Sequence, residues 1–329
     1  MKYFVTGATG FVGGVLAKKL REAGHEVHAS VRDVNKAEYL KGLGVKLFRG
    51  DVTDKTSMRE AMTGVDGVYH VAGWYKVGVK DKSPGEKVNI QGTRNVLELM
   101  QELKIPKGVY TSTLAVNSDT NGKLVDENYH FTGKHISEYD RTKAVAHDIA
   151  KEFISQGLPL VIVQPGLIYG PNDTSSLRAA MRDFLQGRLP MLPSQTAFCW
   201  AHVDDIVQGH ILAMEKGKVG ENYHICGEPY KIVDAYKLVS QISGKRAPIT
   251  VPYQMMKVMS VMMTPFDSIL PESLSPYSSE GLRVVAGVTY WGDNAKAKRE
   301  LGYNPRPVSE GWVETVKYEM NLLGMKSAN

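Results

Sequence analysis

Two tyrosines in this chain stand four residues ahead of a lysine: Tyr139 before Lys143 in "YDRTK", and Tyr253 before Lys257 in "YQMMK". Side chains four apart share one helix face. Either pair could therefore set a phenol beside an ammonium, ready to pass a proton to or from a reacting oxygen. Either could equally be two polar residues on a wet surface. A third pattern has different chemistry. In "VTGATGFVGG", Gly7, Gly10 and Gly13 recur at every third position. A backbone without side chains turns tightly and lets a diphosphate come close, and the N–H groups of a following helix can receive it. Glycine also makes ordinary turns, so the setting of each motif has to decide.

The setting is an alternation of short apolar runs and amphipathic stretches. "YFVTG", "EVHASVR", "VKLFRGDV", "GVYHVAG", "GVYTST" and "PLVIVQPG" read as strands, and "FVGGVLAKKLREAG", "DKTSMREAM", "EKVNIQGTRNVLELMQEL" and the Tyr139 segment as helices. This alternation predicts an α/β fold, a doubly wound parallel sheet covered on both faces. The glycine triplet falls at its first strand-to-helix junction, where a dinucleotide diphosphate binds. After Pro171 the rhythm changes to helices and proline-bearing loops. Residues 1–170 are expected to form the dinucleotide-binding half, with 199–226 returning to it. Residues 171–198 and 227–329 are expected to make a smaller, mostly helical substrate half.

Composition narrows the classes. Among 329 residues, 43% are hydrophobic and 23% charged, as in ordinary globular proteins, and the net charge of +5 is scattered. Nucleic-acid binding wants clustered basic residues, so no nucleic-acid partner is expected. Cys199 and Cys226 lack any metal-ligand spacing, which predicts a reducing, cytoplasmic setting without a disulfide or metal. The longest apolar stretch, "MMKVMSVMMTPF", is broken by Lys257 and Pro265 and falls short of the roughly 20 residues that span a bilayer. Neither a leader nor a membrane partner is expected. The methionines of that stretch predict a helix packed on the core, or else the wall of an apolar pocket.

The second strand ends in Val31, where many dinucleotide sites carry an acid, and Arg32 follows at once. A guanidinium there suits a 2′-phosphate, which predicts NADP, with NAD the other option.

"TGATGFVG", "GDVTD", "HVAG", "YTST", "YDRTK" and "QPGLIYGP" occur in this order along the chain. In that order they resemble the extended short-chain dehydrogenase/reductases, and "GVDGVYHVAG" and "SVRD" look closest to the dihydroflavonol-4-reductase-like branch. The resemblance implies a cofactor at the first turn, with Thr9, Phe11 and Val12 between the three glycines. It also implies cofactor contacts at Asp51 and Val52 after the third strand and at Ala72 and Gly73 after the fourth. Pro165 and Gly166 would close over the nicotinamide. For Asp51 the residues alone suggest a turn or helix-cap role instead, and His70 reads as a packed strand-end residue. "HVDD" at 202–205 is similar to a family segment, though Asp204 is also explained as a helix N-cap.

Within this resemblance Tyr139 and Lys143 become the catalytic pair, with Thr113 at the end of the fifth strand; Tyr253 has no such setting. The implied chemistry is carbonyl reduction. NADPH provides hydride, Tyr139 the proton, and Thr113 a hydrogen bond to the same oxygen, with Ser112 its nearest rival. Bringing a phenol from pKa 10 to about 7 takes roughly 4 kcal/mol, and the Lys143 ammonium acts in that direction. The resemblance also makes Tyr139 and Lys143 cofactor contacts, the lysine at the nicotinamide ribose hydroxyls. Gln164 replaces the arginine usual before the Pro-Gly, and Leu114 follows Thr113 where dehydratases carry an acid. A nucleotide-sugar epimerase with tightly held NAD is the alternative, and a dinucleotide sensor the reading outside catalysis. A small-molecule carbonyl or alcohol substrate is expected, as is a homodimer through helices 86–103 and 138–153.

Overall fold

The protein is described by a computed structural model covering residues 1–325; residues 326–329, the end of the expected substrate half, lie outside the described residues. Among the described residues the strands are β1 Lys2–Thr6, β2 Glu26–Val31, β3 Lys46–Arg49, β4 Gly67–His70, β5 Gly108–Thr111, β6 Leu160–Pro165, β7 Leu167–Tyr169, β8 Met191–Pro193, β9 Ala197–His202, β10 Asn222–Ile225, β11 Pro229–Lys231, β12 Ile249–Val251 and β13 Thr289–Tyr290. The α-helices are α1 Phe11–Glu22, α2 Glu38–Gly42, α3 Lys55–Met62, α4 Gly92–Glu102, α5 Glu138–Ser155, α6 Ser176–Leu185, α7 Val203–Lys216, α8 Ile232–Ser243, α9 Tyr253–Met263, α10 Ser279–Val284, α11 Ala295–Leu301 and α12 Val308–Leu322.

Seven strands form one parallel sheet in the order β10-β6-β5-β4-β1-β2-β3. Successive side chains of a strand face opposite ways, and the apolar runs fill both faces. Tyr3, Val5, Val109, Val161 and Val163 pack with α1 and α7 on one side. Phe4, Val68, Tyr110, Leu160 and Ile162 pack with α3, α4 and α5 on the other. This is the doubly wound sheet that the alternation predicts. Chain direction across the sheet reverses between β1 and β4, which opens a crevice at their carboxyl ends.

Of the 199–226 stretch, α7 and β10 lie on the main sheet, whereas β9 pairs with β7, β11 and β13 in a second, smaller sheet. A separate core of Tyr169, Phe184, Trp200, Tyr236 and Trp312 holds α6, α8 and α12 to that sheet.

Two expectations about helices are corrected. Asp204 is not the cap of α7: the His202 imidazole accepts the Asp204 N–H at 3.3 Å, while the Asp204 carboxylate lies 3.1 Å from Lys19. The methionine stretch is a helix, α9, but it buries only Met256 and Ser260, because α10 covers one side of it and nothing described covers the other.

Candidate active site

The turn after β1 is built by its glycines in two different ways. Gly7 takes φ +72°, and a Cβ there would lie 2.8 Å from the Ala72 nitrogen. A Cβ on Gly13 would lie 2.2 Å from the Gly7 carbonyl oxygen. These two therefore let β1, the β4 end and α1 pack backbone to backbone. Gly10 differs. It caps α1 without any side-chain bond, no acid occupies the first turn, and a Cβ there would meet only the Gly7 oxygen, at 3.2 Å. The exposed Thr9 and Gly10 and the half-buried Phe11 and Val12 thus surround a bare helix N-terminus in the crevice. Such a terminus fits a diphosphate.

The neighbouring strand ends fall along the same edge. Arg32 is exposed after β2, and its Nε lies 4.0 Å from the Asp51 carboxylate after β3. Asp51 accepts from the Thr53 N–H and hydroxyl at 2.8 Å each, and Asp54 rather than Asp51 caps α3. Val52 is held by Asn95, whose amide donates to the Val52 carbonyl at 2.8 Å. Thr6 accepts the Val71 and Ala72 N–H groups at 3.1 Å and bonds to His70 Nδ1 at 2.8 Å. His70 is buried, which pushes its pKa down to about 3 and keeps the ring neutral, so it is a packing residue. Gly73 and Trp74 are pinned by Asn89, which accepts the Trp74 N–H at 2.7 Å and donates to its carbonyl at 2.9 Å. Asn89 sits in a π-helical turn, Gly85–Gln91, that precedes α4. Such π-turns are frequent at functional sites.

At the carboxyl end of β5 stand Thr113, just past the strand, and the first turns of α5, which carry Tyr139 and Lys143. Ser137 caps α5 by accepting the Asp140 N–H at 3.1 Å, which places Tyr139 in the first turn. Burial pushes the Tyr139 phenol up to about 12, and the neighbouring Thr113 hydroxyl pulls the other way. Ser112 turns instead to His147, at 2.9 Å. Lys143 is tied to the end of β5. Its ammonium donates to the Thr111 carbonyl at 2.7 Å and the Tyr110 hydroxyl at 3.3 Å, and burial pulls its pKa down to about 7. The polypeptide thus holds the phenol protonated, since burial outweighs every opposing group around Tyr139.

Pro165 ends β6 beside the site, and a Cβ on Gly166 would lie 2.0 Å from the Cys199 carbonyl oxygen, so only glycine fits that turn. Gln164 is buried with its Oε1 unpartnered. Tyr253 and Lys257 stand elsewhere, the ammonium 5.0 Å over the ring of its own tyrosine on α9. Among the described residues no cluster of acids, histidines and cysteines could hold a metal.

The model of the NAD dependent epimerase/dehydratase family matches residues 3–226. The chain belongs to this family. It is 30% identical to sterol demethylase protein B of Methylococcus capsulatus over 97% of this chain and 98% of that protein. It is 26% identical to a 4-hydroxy-2-methyl-3-oxo-4-farnesyl-3,4-dihydroquinoline-1-oxide ketoreductase of Stigmatella aurantiaca, over 96% of each chain. The solved structure of gox2253 superposes with a TM-score of 0.86 at 30% identity, covering 98% of this chain and 99% of that one.

In this family member, contacts from far along the chain hold the α5 entrance, and sequence reasoning missed them. Tyr290 donates to Asp140 at 2.9 Å, and Ser137 donates to its other oxygen at 2.7 Å. The Glu280 carboxylate receives the Glu138 N–H at 2.5 Å, the Gly78 N–H at 3.2 Å and the Lys82 ammonium at 2.8 Å. A polar residue inside an apolar helical stripe, such as Asn89, is a signal that could have been read; residues 150 apart leave none.

Burial raises Asp140 to about 7 against an ordinary 3.8, despite the hydrogen bonds from Ser137 and Tyr290. A carboxyl whose folded pKa is raised contributes stability fully present below the unfolded value. That contribution is lost as pH rises through the folded one. Asp140→Asn should therefore flatten the fall in stability between pH 4 and 8, by roughly 4 kcal/mol at most. Unfolding midpoints across that range check this, and equal slopes in variant and wild type would remove the role of Asp140.

Proposed function

We propose that the chain is an NAD(P)H-dependent reductase that converts a carbonyl on an apolar organic molecule into an alcohol, with Tyr139 as the proton donor. The observation that carries this reading is the Tyr139 phenol, kept protonated by burial beside the Thr113 hydroxyl at the carboxyl edge of the sheet. A proton donor is what the oxygen of a carbonyl under reduction requires. Tyr139 gives its proton to that oxygen while the Thr113 hydroxyl holds it in place. Lys143, at the floor of the site, acts on the cofactor side and on the proton balance of the pair. A bound nicotinamide dinucleotide supplies the hydride. Residues 1–170, with the strand at 222–225, would hold it at Gly7–Gly13, Arg32, Asp51, Val52, Ala72, Gly73, Pro165 and Gly166.

The names of the two relatives support an apolar substrate: one concerns a sterol, the other a farnesylated ketone. The exposed Arg32, following Val31 with no acid at the strand end, supports NADP. Assembly as a homodimer through α4 and α5 belongs to the same reading.

The test is to identify any nucleotide that copurifies, then to follow NADPH and NADH oxidation against a panel of apolar ketones and aldehydes. Oxidation with preference for NADPH is expected. Arg32→Ala should lose that preference by roughly 1.5–3 kcal/mol, the scale of a charged hydrogen bond. Retained NAD⁺ with no oxidation of any carbonyl would turn the assignment to epimerase.

A further inference from the structure

One carboxylate ties the far end of the chain to the entrance of Tyr139. Glu280, in the first turn of α10, is only 4% exposed. A charge so deeply buried has to be met by donors. Its donors come from two segments beside the candidate site. One oxygen receives the Glu138 N–H of α5 at 2.5 Å, and the other the Gly78 N–H at 3.2 Å and the Lys82 ammonium at 2.8 Å. An anion at the first N–H of a helix also meets the favourable end of its dipole.

One turn along α10, the Arg283 guanidinium donates to the Ile136 carbonyl at 2.8 Å. The short helix therefore grips the chain on both sides of Ser137, whose hydroxyl caps α5. Tyr139 is the second residue of α5, so its phenol follows any shift of that entrance. Residues 73–82, which leave the crevice at Gly73 without forming a strand or helix, are likewise held by residues far along the chain. Gly78 takes φ +74°, and a Cβ there would lie 2.2 Å from the Ser278 hydroxyl and 2.4 Å from the Ser275 carbonyl oxygen. The Tyr75 hydroxyl lies 3.2 Å from that of Thr174, and Lys76 lies 3.7 Å from Glu272.

We propose that Glu280 is a positioning residue for Tyr139. It locks the first turn of α5 and the 73–82 segment to each other, and so sets where the phenol stands at the crevice. Its action passes through the α5 backbone. The proposal rests on the reading of Tyr139 as proton donor, for which a displacement of about 1 Å costs on the order of 10²-fold in rate.

The test compares full-length variants at a temperature where their unfolding midpoints show all of them folded. Glu280→Ala should lower kcat for carbonyl reduction roughly 10–100-fold, with NADPH affinity near wild type. Glu280→Gln, whose amide oxygen still accepts the Glu138 N–H, should recover most of that loss. Arg283→Ala releases the Ile136 carbonyl without stranding a buried charge, and should lower kcat in the same direction by less. It carries the test if Glu280→Ala does not fold. A folded Glu280→Ala, or in its place Arg283→Ala, with wild-type kcat overturns the proposal. So does a loss that lies wholly in KM, or a Glu280→Gln as slow as the alanine variant. Amide exchange without substrate separates this from the reductase reading. The Glu138 and Gly78 amides should exchange faster in Glu280→Ala, and unchanged exchange removes the grip whatever the activity. Wild type that oxidises NADPH with no carbonyl removes the reductase reading instead.

Discussion

Tyr139→Phe is expected to lower kcat for carbonyl reduction roughly 10²–10⁴-fold, about 3–5 kcal/mol of transition-state stabilisation, with dinucleotide affinity close to wild type. Phenylalanine keeps the ring that packs at the start of α5 and removes only the hydroxyl beside Thr113. Lys143 keeps its bonds to Thr111 and Tyr110, so the floor of the site stays in place. The loss therefore falls on proton transfer and not on binding. Steady-state turnover with the best carbonyl from the screen, beside a fluorescence titration of NADPH, separates the two. A variant that turns over at the wild-type rate removes Tyr139 as proton donor.

The second large effect separates two glycines three residues apart. Gly13→Ala should cost about 1–3 kcal/mol of stability, because its Cβ would stand 2.2 Å from the Gly7 carbonyl oxygen, a backbone atom that cannot swing away. Gly10→Ala should leave stability within about 0.5 kcal/mol of wild type. Its φ of −90° suits any residue, and its Cβ has open space except for one contact at 3.2 Å. Yet Gly10→Ala should weaken dinucleotide binding more than tenfold on roughly the scale of a lost charged hydrogen bond, since the new methyl enters the space before the bare terminus of α1. Thermal unfolding and a nucleotide titration on both variants give the comparison. Unchanged affinity in Gly10→Ala would mean that no diphosphate sits at that terminus.

Local patterns were legible because their causes are local. The α/β alternation follows from side-chain periodicity, so the parallel sheet with helices on both faces could be read from the strand-like and helical runs. The spacing of Gly7, Gly10 and Gly13 marked a turn, but not that Gly7 and Gly13 serve packing while Gly10 alone faces open space. For Gly7 that depends on Ala72, brought against it by β4 from some sixty residues away, and for Gly13 on the Gly7 carbonyl that the folded turn sets against it. The four-residue step from Tyr139 to Lys143 showed one helix face. It did not show that the ammonium turns down to Thr111 and Tyr110 of the neighbouring strand, which a flexible four-carbon stem allows.

Cap identity and coverage were the other misses. His202 takes the cap position two residues before Asp204 and accepts the Asp204 N–H, while the fold carries Lys19 to the aspartate. The methionine run announced an apolar helix without saying what lies over it. The sequence by itself determined which elements form and which motif stands at which junction, since those depend on neighbours along the chain. The tertiary structure alone decided protonation at Tyr139, the clasps of Asp140 by Tyr290 and of Glu138 by Glu280, and the bare side of α9. Burial and partners at long range are properties of packing, and no local periodicity encodes them.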